Sequence, residues 1–434
     1  MLFVYSSVDH YLKEDGILGF NITQTVFKTK GAGDGFRQFE YKGKTGKRGR
    51  PPIRYIKVLK ALDLSEFQPF EKAANRTAII VCQKAKEPTT YPIPYSVWIK
   101  KVRGKINPDW SLIDVENAVE IKNCKAIPIN KRKKTSPWLT LSSSLSVNFR
   151  KVLRKGFYRA YAGSFTGGLN GCYWIQTIRK DAKELLISNL NDIGKIKVDN
   201  IVDFVEPDLV YPLLRGRDVR KWNARPSVEI ILAQDPVTRK GIQSEIMRKK
   251  YPLTFSYFKK FEPLLRDRAG YKKYFNEADP FWSMFAIGTY TLSEWKVVFR
   301  EQSANFQACV IDKHKGKTII PDHKLMLIAC NNGEDEAHFI CSLLNSMIAN
   351  LIVKSYTVST STSTHVLDYI NIPKFDRRKK YHLELSELSK QAHKEAELGN
   401  IGKLREIEDK IDVTAAEFWG ITKEELQNIK EALK

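Results

Sequence analysis

The sequence predicts an α/β protein with more than one domain. Three observations carry this. Apolar runs of strand length recur in the first third of the chain. A sustained helical period runs from about residue 336 to 355. The 434 residues, 42% of them hydrophobic, are enough to bury a sizeable core.

Taken in order, residues 6 to 13 read as a short helix end and Asp15-Gly16 as a turn. Ile17-Leu18-Gly19-Phe20-Asn21-Ile22 reads as a strand of the kind covered on both faces in a parallel sheet. Such a strand needs paired neighbours on its edges, yet only sixteen residues precede it, so an upstream portion is expected to be missing. Gly31, Gly33 and Gly35 punctuate the loop that follows, and a helix is expected from Phe36. Residues 42–52, KGKTGKRGRPP, form a basic loop; Val58–Leu64 and Thr77–Cys82 read as two more strands. The expected division is 1–95, a first domain; 96–137, a proline-rich extended connector; 138–376, a second, mixed α/β domain; and 377–434, a polar helical tail. Phe339, Ile340, Leu343, Leu344, Met347, Leu351 and Ile352 recur at helical spacing over Glu336–Ser355. VSTSTSTH at 358–365 is low in complexity and reads as a loop or edge strand. Thr422 and Glu425 fit a capping box for the last helix.

Charge narrows the partner. Lys and Arg number 72 against 49 Asp and Glu, a formal charge of +23, which attracts polyanions. Residues 41–60 hold eight basic and no acidic side chains, and residues 131–180 hold eleven and none. Residues 381–434 reverse this with eight basic and twelve acidic groups. No stretch approaches the roughly 18 apolar residues of a membrane span. The opening residues lack a signal-peptide pattern. The six cysteines form no C-x-x-C pair, so neither a zinc site nor a redox motif is indicated, and reduced, mostly buried thiols in a cytoplasmic protein are expected.

Six segments carry a family resemblance: GILGFNITQTVFKTKGAGDGFRQFE (16–40), DLSEFQPFEKAANRTAIIV (63–81), AGSFTGGLNGCYWI (162–175), YPLLRGRDVRKW (211–222), LLNS (343–346) and INIPKF (370–375). In this order they resemble the adenine-specific DNA methyltransferases of type II restriction-modification systems, the kind that join methyltransferase and specificity region in one polypeptide. The resemblance implies that the first domain is the later part of a Rossmann-like methyltransferase sheet and the second a target-recognition domain. It implies double-stranded DNA as partner, S-adenosylmethionine as donor and base flipping as the route to the target amino group. The glycine loop that holds the donor and the Asn-Pro-Pro-Tyr tetrapeptide that clamps the amino group are both absent from this sequence. No catalytic residue is therefore assigned, the donor site is expected to be incomplete, and activity of the chain alone is doubtful. A separate or missing amino-terminal half is the expected partner. Gly31-Ala32-Gly33-Asp34-Gly35 is read as a tight loop and not as a donor site.

Within the resemblance, Phe70 matches the position of an aromatic that stacks on the flipped base, and from the residues alone it is equally a core residue beside a strand. Asn75, Arg76 and Thr77 either shape the same loop or form a cap or turn. Candidate DNA contacts are Arg48 and Arg50 in the basic loop, Lys151 and Arg154, and Arg215, Arg217, Arg220 and Lys221. Arg48-Gly49-Arg50-Pro51 also matches a minor-groove hook, against the plainer reading of a loop that touches phosphates. Trp222 is expected to be core rather than a stacking surface. Pro108-Asp109 with Glu120-Ile121-Lys122 imitates a metal-dependent nuclease core, but lies in the expected connector with no room for that fold. The seven histidines form no ligand-spaced cluster, and no metal site is expected. A different reading is a DNA-specificity subunit with no catalytic role, which predicts two complete recognition modules in place of an incomplete sheet.

Overall fold

In the first unit of the protein, comprising Met1–Leu153, Leu351–Ser361 and Ile421–Lys434, alternating side chains build one large mixed sheet. The structure is a computed structural model that describes residues 2–42, 52–70, 75–102, 107, 109–143, 145, 147, 149–301, 306–357 and 364–433. Helix α1 (Leu2–Tyr11) precedes strands β1 (Ile17–Thr23), β2 (Glu40–Lys42), β3 (Ile53–Asp63), β4 (Thr77–Ala85), β5 (Ile93–Lys100), β6 (Val119–Pro128) and β7 (Trp138–Ser142). They form a seven-stranded sheet in the order β1-β4-β3-β5-β6-β7, with β2 also paired to β3. Only β3 and β5 run parallel. Period-two alternation turns Ala78, Ile80 and Cys82 of β4 inward, where they meet Val4 and Val8 of α1 together with Phe27, Phe36 and Trp138. Phe27 and Trp138 stack in parallel with ring centroids 4.6 Å apart.

Two expectations for this unit are corrected. β1 is antiparallel to β4, and β4 is its one neighbour among the described residues. It is not buried on both faces. Leu18, Phe20 and Ile22 turn toward the core, whereas Ile17, Gly19 and Asn21 face outward. Read at period two, Gly19 and Asn21 break the apolar run into an alternation, so an edge position is physically tolerable. Residues 96–137 are not an extended connector. They supply most of β5, a capped helix at Leu112–Ala118 and all of β6. Of the prolines in this stretch, Pro128 ends β6 and Pro137 directly precedes β7, while buried Val119 and Ala126 continue the core.

The second unit, Arg154–Asn350 with Thr362–Gly420, contains two larger sheets. The six-stranded one runs in the order Val202–Val205, Leu185–Asn189, Trp174–Lys180, Val228–Ile231, Val210–Leu214, Ile320–Pro321. The four-stranded one runs Ala308–Ile311, Trp295–Arg300, Leu325–Cys330, Tyr161–Ala162. Helices between Ser244 and Tyr274 cover the first sheet through Met247, Tyr257, Phe258 and Leu265. The helix expected over Glu336–Ser355 is two helices, Glu334–Asn345 and Met347–Tyr356, bent by 63° at Ser346. Ser346 Oγ donates to the Leu343 carbonyl at 2.7 Å and so takes up part of the interrupted ladder.

The expected tail is not separate either. Lys380–Leu398 and Ile401–Trp419 pack with Glu334–Asn345 inside the second unit, because their small and apolar faces (Leu385, Ala392, Ile407, Ile411, Ala415) are buried. Trp222 is core, as expected, and its Nε1 donates to Glu408 Oε1 at 2.7 Å. The Thr422–Glu425 capping box forms at the start of Lys423–Ala432. Among the described residues no single helix is long and apolar enough to cross a membrane. All six cysteines are free, and five of them are buried.

The helix cluster holds its histidines neutral. His393 Nδ1 donates to the Ser389 carbonyl at 2.7 Å, and Nε2 accepts the Val310 N–H at 3.0 Å, which fixes one neutral tautomer. His338 Nδ1 lies 3.0 Å from Ser389 Oγ. Burial pushes the His338 imidazole down to about 2 and His393 down to about 4. Below pH ~6.5 the unfolded chain takes up protons that the folded chain refuses, so stability present near neutrality is lost as pH falls toward 4. We predict that thermal stability drops between pH 6.5 and 5 by up to about 1.4 kcal/mol per pH unit for each of the two histidines. A His338→Gln, His393→Gln variant flattens that slope in calorimetry, and an unchanged slope refutes the assignment.

Candidate nucleic-acid interface

The β3–β4 connection of the first unit begins in a well-packed stem. Leu64 and Phe67 are buried against Val119, with Trp98 and Val115 beside them. Leu64 N donates to the Thr77 carbonyl at 3.1 Å, and Gln68 N donates to the Leu64 carbonyl at 2.8 Å, which closes a turn. Three residues after buried Phe67, Phe70 is 50% exposed, so it is not a core residue. Its ring is thus half in water, three residues along the chain from a buried one. The Arg76 guanidinium donates to the Ser65 carbonyl at 2.9 Å, so Arg76 does shape this loop, and Thr77 opens β4.

The glycine cluster after β1 forms a helical turn, Ala32–Phe36. Beneath it the Arg37 guanidinium is buried, donating to the carbonyls of Thr29 (2.7 Å) and Thr135 (2.9 Å) and to Asp34 (2.8 Å). A Cβ on Gly33 would stand 2.8 Å from Arg37 Nη1 and 2.9 Å from Thr29 Oγ1, so this glycine makes room for the protein's own side chains. At Gly31 and Gly35 an added Cβ would meet nothing within 4 Å, so packing against side chains accounts for one of the three glycines.

In the second unit the motif AGSFTGGLNG is explained by packing. A Cβ on Gly163 would lie 2.1 Å from the Asp322 carbonyl oxygen, and one on Gly171 would lie 2.7 Å from Val198. Buried Arg268 donates to the carbonyls of Thr166 (3.0 Å), Phe281 (2.7 Å) and Ser283 (2.9 Å), fixing this loop from below. The loop, RGRD and the turn at Asp322–Lys324 meet through the Ser164–Asp322 bridge and the hydrogen bond from Asp322 N to the Leu214 carbonyl. Beside them a shallow cleft of about 520 Å³ is lined by Trp174, Ile193, Arg215, Arg217, Asp322 and Lys324, among others. Burial pushes the Asp322 carboxyl up to about 6 against the opposing Lys324 N–H. Burial also lowers His323, whose ring lies 5.0 Å from the part-exposed Phe165 ring.

The structure sorts the candidate basic residues. The Arg215 side chain is largely buried and committed internally: Nε lies 3.3 Å from Asp218 Oδ2, and Nη2 donates to Ser227 Oγ at 2.6 Å. It supports the cleft wall and does not project as a free cation. Lys221 is paired with Glu408 at 2.7 Å. Arg217 and Arg220 are exposed and have no partner among the described residues. Lys151 is exposed in the first unit, and Arg154 is exposed in the second. Arg48 and Arg50, with the hook motif, lie outside the described residues. Glu120 and Lys122 are exposed on β6 with 3.9 Å between Oε1 and Nζ, and Asp109 is an exposed turn residue, so nothing assembles a nuclease centre from them. Among the described residues no group of three or more His, Cys, Asp or Glu is placed to hold a metal. Lys324, which sequence reasoning passed over, carries a signal only in retrospect, as a basic residue two places after a buried acid.

The fold is similar to part of a solved restriction-modification enzyme. The solved structure of the type IIL restriction-modification enzyme MmeI in complex with DNA matches 87% of this chain and 45% of its own at a TM-score of 0.50 and 13% identity. In sequence, the chain is a distant homologue of the type II methyltransferase M.NspV of Nostoc sp. (strain ATCC 29411 / PCC 7524), 27% identical over 177 residues, which are 41% of this chain and 35% of that protein. The chain thus spans about a third of the curated relative's length and under half of the structure's. No family model matches it.

The sorting gives a direct prediction. Arg215→Ala leaves Asp218 and Ser227 without their guanidinium partner and is expected to cost about 1–3 kcal/mol of stability. Arg217→Ala is expected to leave thermal stability within about 0.5 kcal/mol of the parent. Equal effects in a urea titration would contradict the assignment.

Proposed function

We propose that this chain is the target-recognition and base-positioning part of a site-specific adenine DNA methyltransferase of a restriction-modification system. The observation that carries the reading is Phe70: an aromatic ring half in solvent on the β3–β4 loop, at the position where the resemblance calls for a ring that stacks on a flipped base. The +23 charge and the exposed Arg217 and Arg220 support duplex DNA as the partner. The two units have unlike sheets, which favours a methyltransferase remnant joined to one recognition domain over two recognition modules.

The donor in this reading is S-adenosylmethionine, and the described residues do not build its site. In this reading additional sequence or a partner chain supplies it. Residues of this chain contribute the duplex grip and the stack: cations neutralise phosphates and fix register, and Phe70 replaces the stacking the adenine loses.

The test uses the full chain and a duplex site recovered from a randomised library. Binding should weaken with salt by about 0.9 log unit per log unit of salt for each phosphate contact, and Arg217→Ala should reduce that slope. With 2-aminopurine in place of each adenine in turn, one position should brighten on binding. Phe70→Ala should abolish that signal while duplex affinity stays within about threefold, the stacking lost being on the order of 1–3 kcal/mol. Salt-independent binding, or an unaltered signal in Phe70→Ala, defeats the proposal.

A further inference from the structure

A buried polar knot lies at the base of the segment that carries Phe70. Asp63, the last residue of β3, is buried and accepts three hydrogen bonds: from Tyr95 Oη at 2.6 Å and Gln24 Nε2 at 3.0 Å on Oδ2, and from Ser65 N at 3.0 Å on Oδ1. Gln24 is buried too, and its backbone N–H donates to the Arg76 carbonyl at 2.9 Å. Arg76 in turn donates to the Ser65 carbonyl at 2.9 Å. Asp63 therefore holds the outgoing stem directly through Ser65. It holds the returning stem through Gln24 and Arg76. The other buried cation nearby, Lys28, is committed to Thr140 Oγ1 at 2.6 Å and to the Ser355 carbonyl, and is not part of this ring of bonds. One atom of the knot is left over: Gln24 Oε1 is buried with no hydrogen-bond partner among the described residues.

A buried carboxylate is costly to desolvate, and here three donors and the charge of buried Lys28 answer it. What these bonds fix is the direction in which the chain leaves β3. Phe70 follows seven residues later, after the Leu64–Gln68 turn and the buried anchor Phe67.

We propose that Asp63 is a positioning residue for Phe70: through Ser65, Gln24 and Arg76 it sets the stem geometry that presents the ring. This rests on the base-stacking reading of Phe70 given above. Small rotations at the stem are magnified at the ring, and stacking tolerates little misplacement, so loss of the knot should cost flipping more than duplex affinity.

The experiment compares wild type with Asp63→Ala, Asp63→Asn, Tyr95→Phe and Phe70→Ala, all as full chains. Two readouts are taken: hydrogen exchange of a peptide covering Leu64–Phe70, and the 2-aminopurine signal on the selected duplex. Asp63→Ala should speed exchange in that peptide at least tenfold and lose the flipping signal, with duplex affinity within threefold. Asp63→Asn should recover part of both, because Gln24 can turn its unpartnered Oε1 toward the new amide N–H. Tyr95→Phe, which deletes one of the three donors and keeps the ring, should lie between Asn and wild type. Phe70→Ala should lose the signal with exchange unchanged. An Asp63→Ala protein that keeps the signal, or keeps slow exchange, overturns the positioning role while the stacking reading stands. A Phe70→Ala protein that keeps the signal defeats the stacking reading, and the positioning role falls with it. Global exchange over β4 and β5 identifies a variant that has merely unfolded. In that case Asp63→Asn and Tyr95→Phe carry the decision by the same two readouts, and wild-type values of both overturn the proposal.

Discussion

Irregular backbone can be held in place only if its buried polar groups find partners, and in this protein buried guanidinium and carboxylate groups meet that constraint. Arg37 gathers carbonyls from the turn at Val26–Thr29 and from the strand of chain at Thr135–Ser136. Arg268 does the same for Thr166, Leu265, Phe281 and Ser283. Each delocalised cation offers five donors in a fixed fork and so matches several carbonyls whose directions no helix or strand would align. Asp63 is the opposite case, an acceptor that collects donors from three segments. Remove these groups and the loops that carry the distinctive motifs lose their shape, although the sheets beneath them need not.

This explains why the motifs are legible in sequence and their roles are not. In AGSFTGGLNG, Gly163 and Gly171 are small because a carbonyl and a valine stand where a Cβ would go. The basic run LLRGRDVRK reads as one cationic strip, yet Asp218 neutralises Arg215, and Glu408, nearly two hundred residues away, neutralises Lys221. Short-range sequence shows the charges and not their long-range partners. Phe67 and Phe70 are equivalent letters in FQPF, and what separates them is the packing of Val119 and Trp98, which come from strands that were read as connector. The α/β class, the central core of Phe339 and Leu343, the core position of Trp222 and the final capping box depend on local pattern, and these were readable. Sheet order and the edge position of β1 depend on distant pairing, and these were not.

Electrostatically the second unit is graded within itself. Its acidic helices spend their carboxylates on its own cations: Glu397 on Arg225, Glu408 on Lys221, Glu334 and Asp335 on Lys390. Pairs as exposed as Arg225 and Glu397 add little stability. Their effect is on the field: they cancel positive potential beside the helices and leave Arg217 and Arg220 as uncompensated charge among the described residues.

The bond from Trp222 to Glu408 bears on how the second unit can be exchanged between proteins. A buried indole whose N–H has a single carboxylate partner on another element ties the hairpin at Val219–Ala224 to the helix Ile401–Trp419, and Met347 N with Asp412 and Trp419 with the Asn371 carbonyl add two more ties. A chimaera joined between residues 376 and 377, where composition changes, would separate both halves of all three pairs and expose an indole evolved to be dry. A junction after Gly420, whose left-handed backbone ends the helix, keeps donor and acceptor on the same inherited piece. The hairpin and the helices that brace it are therefore transmitted together or not at all.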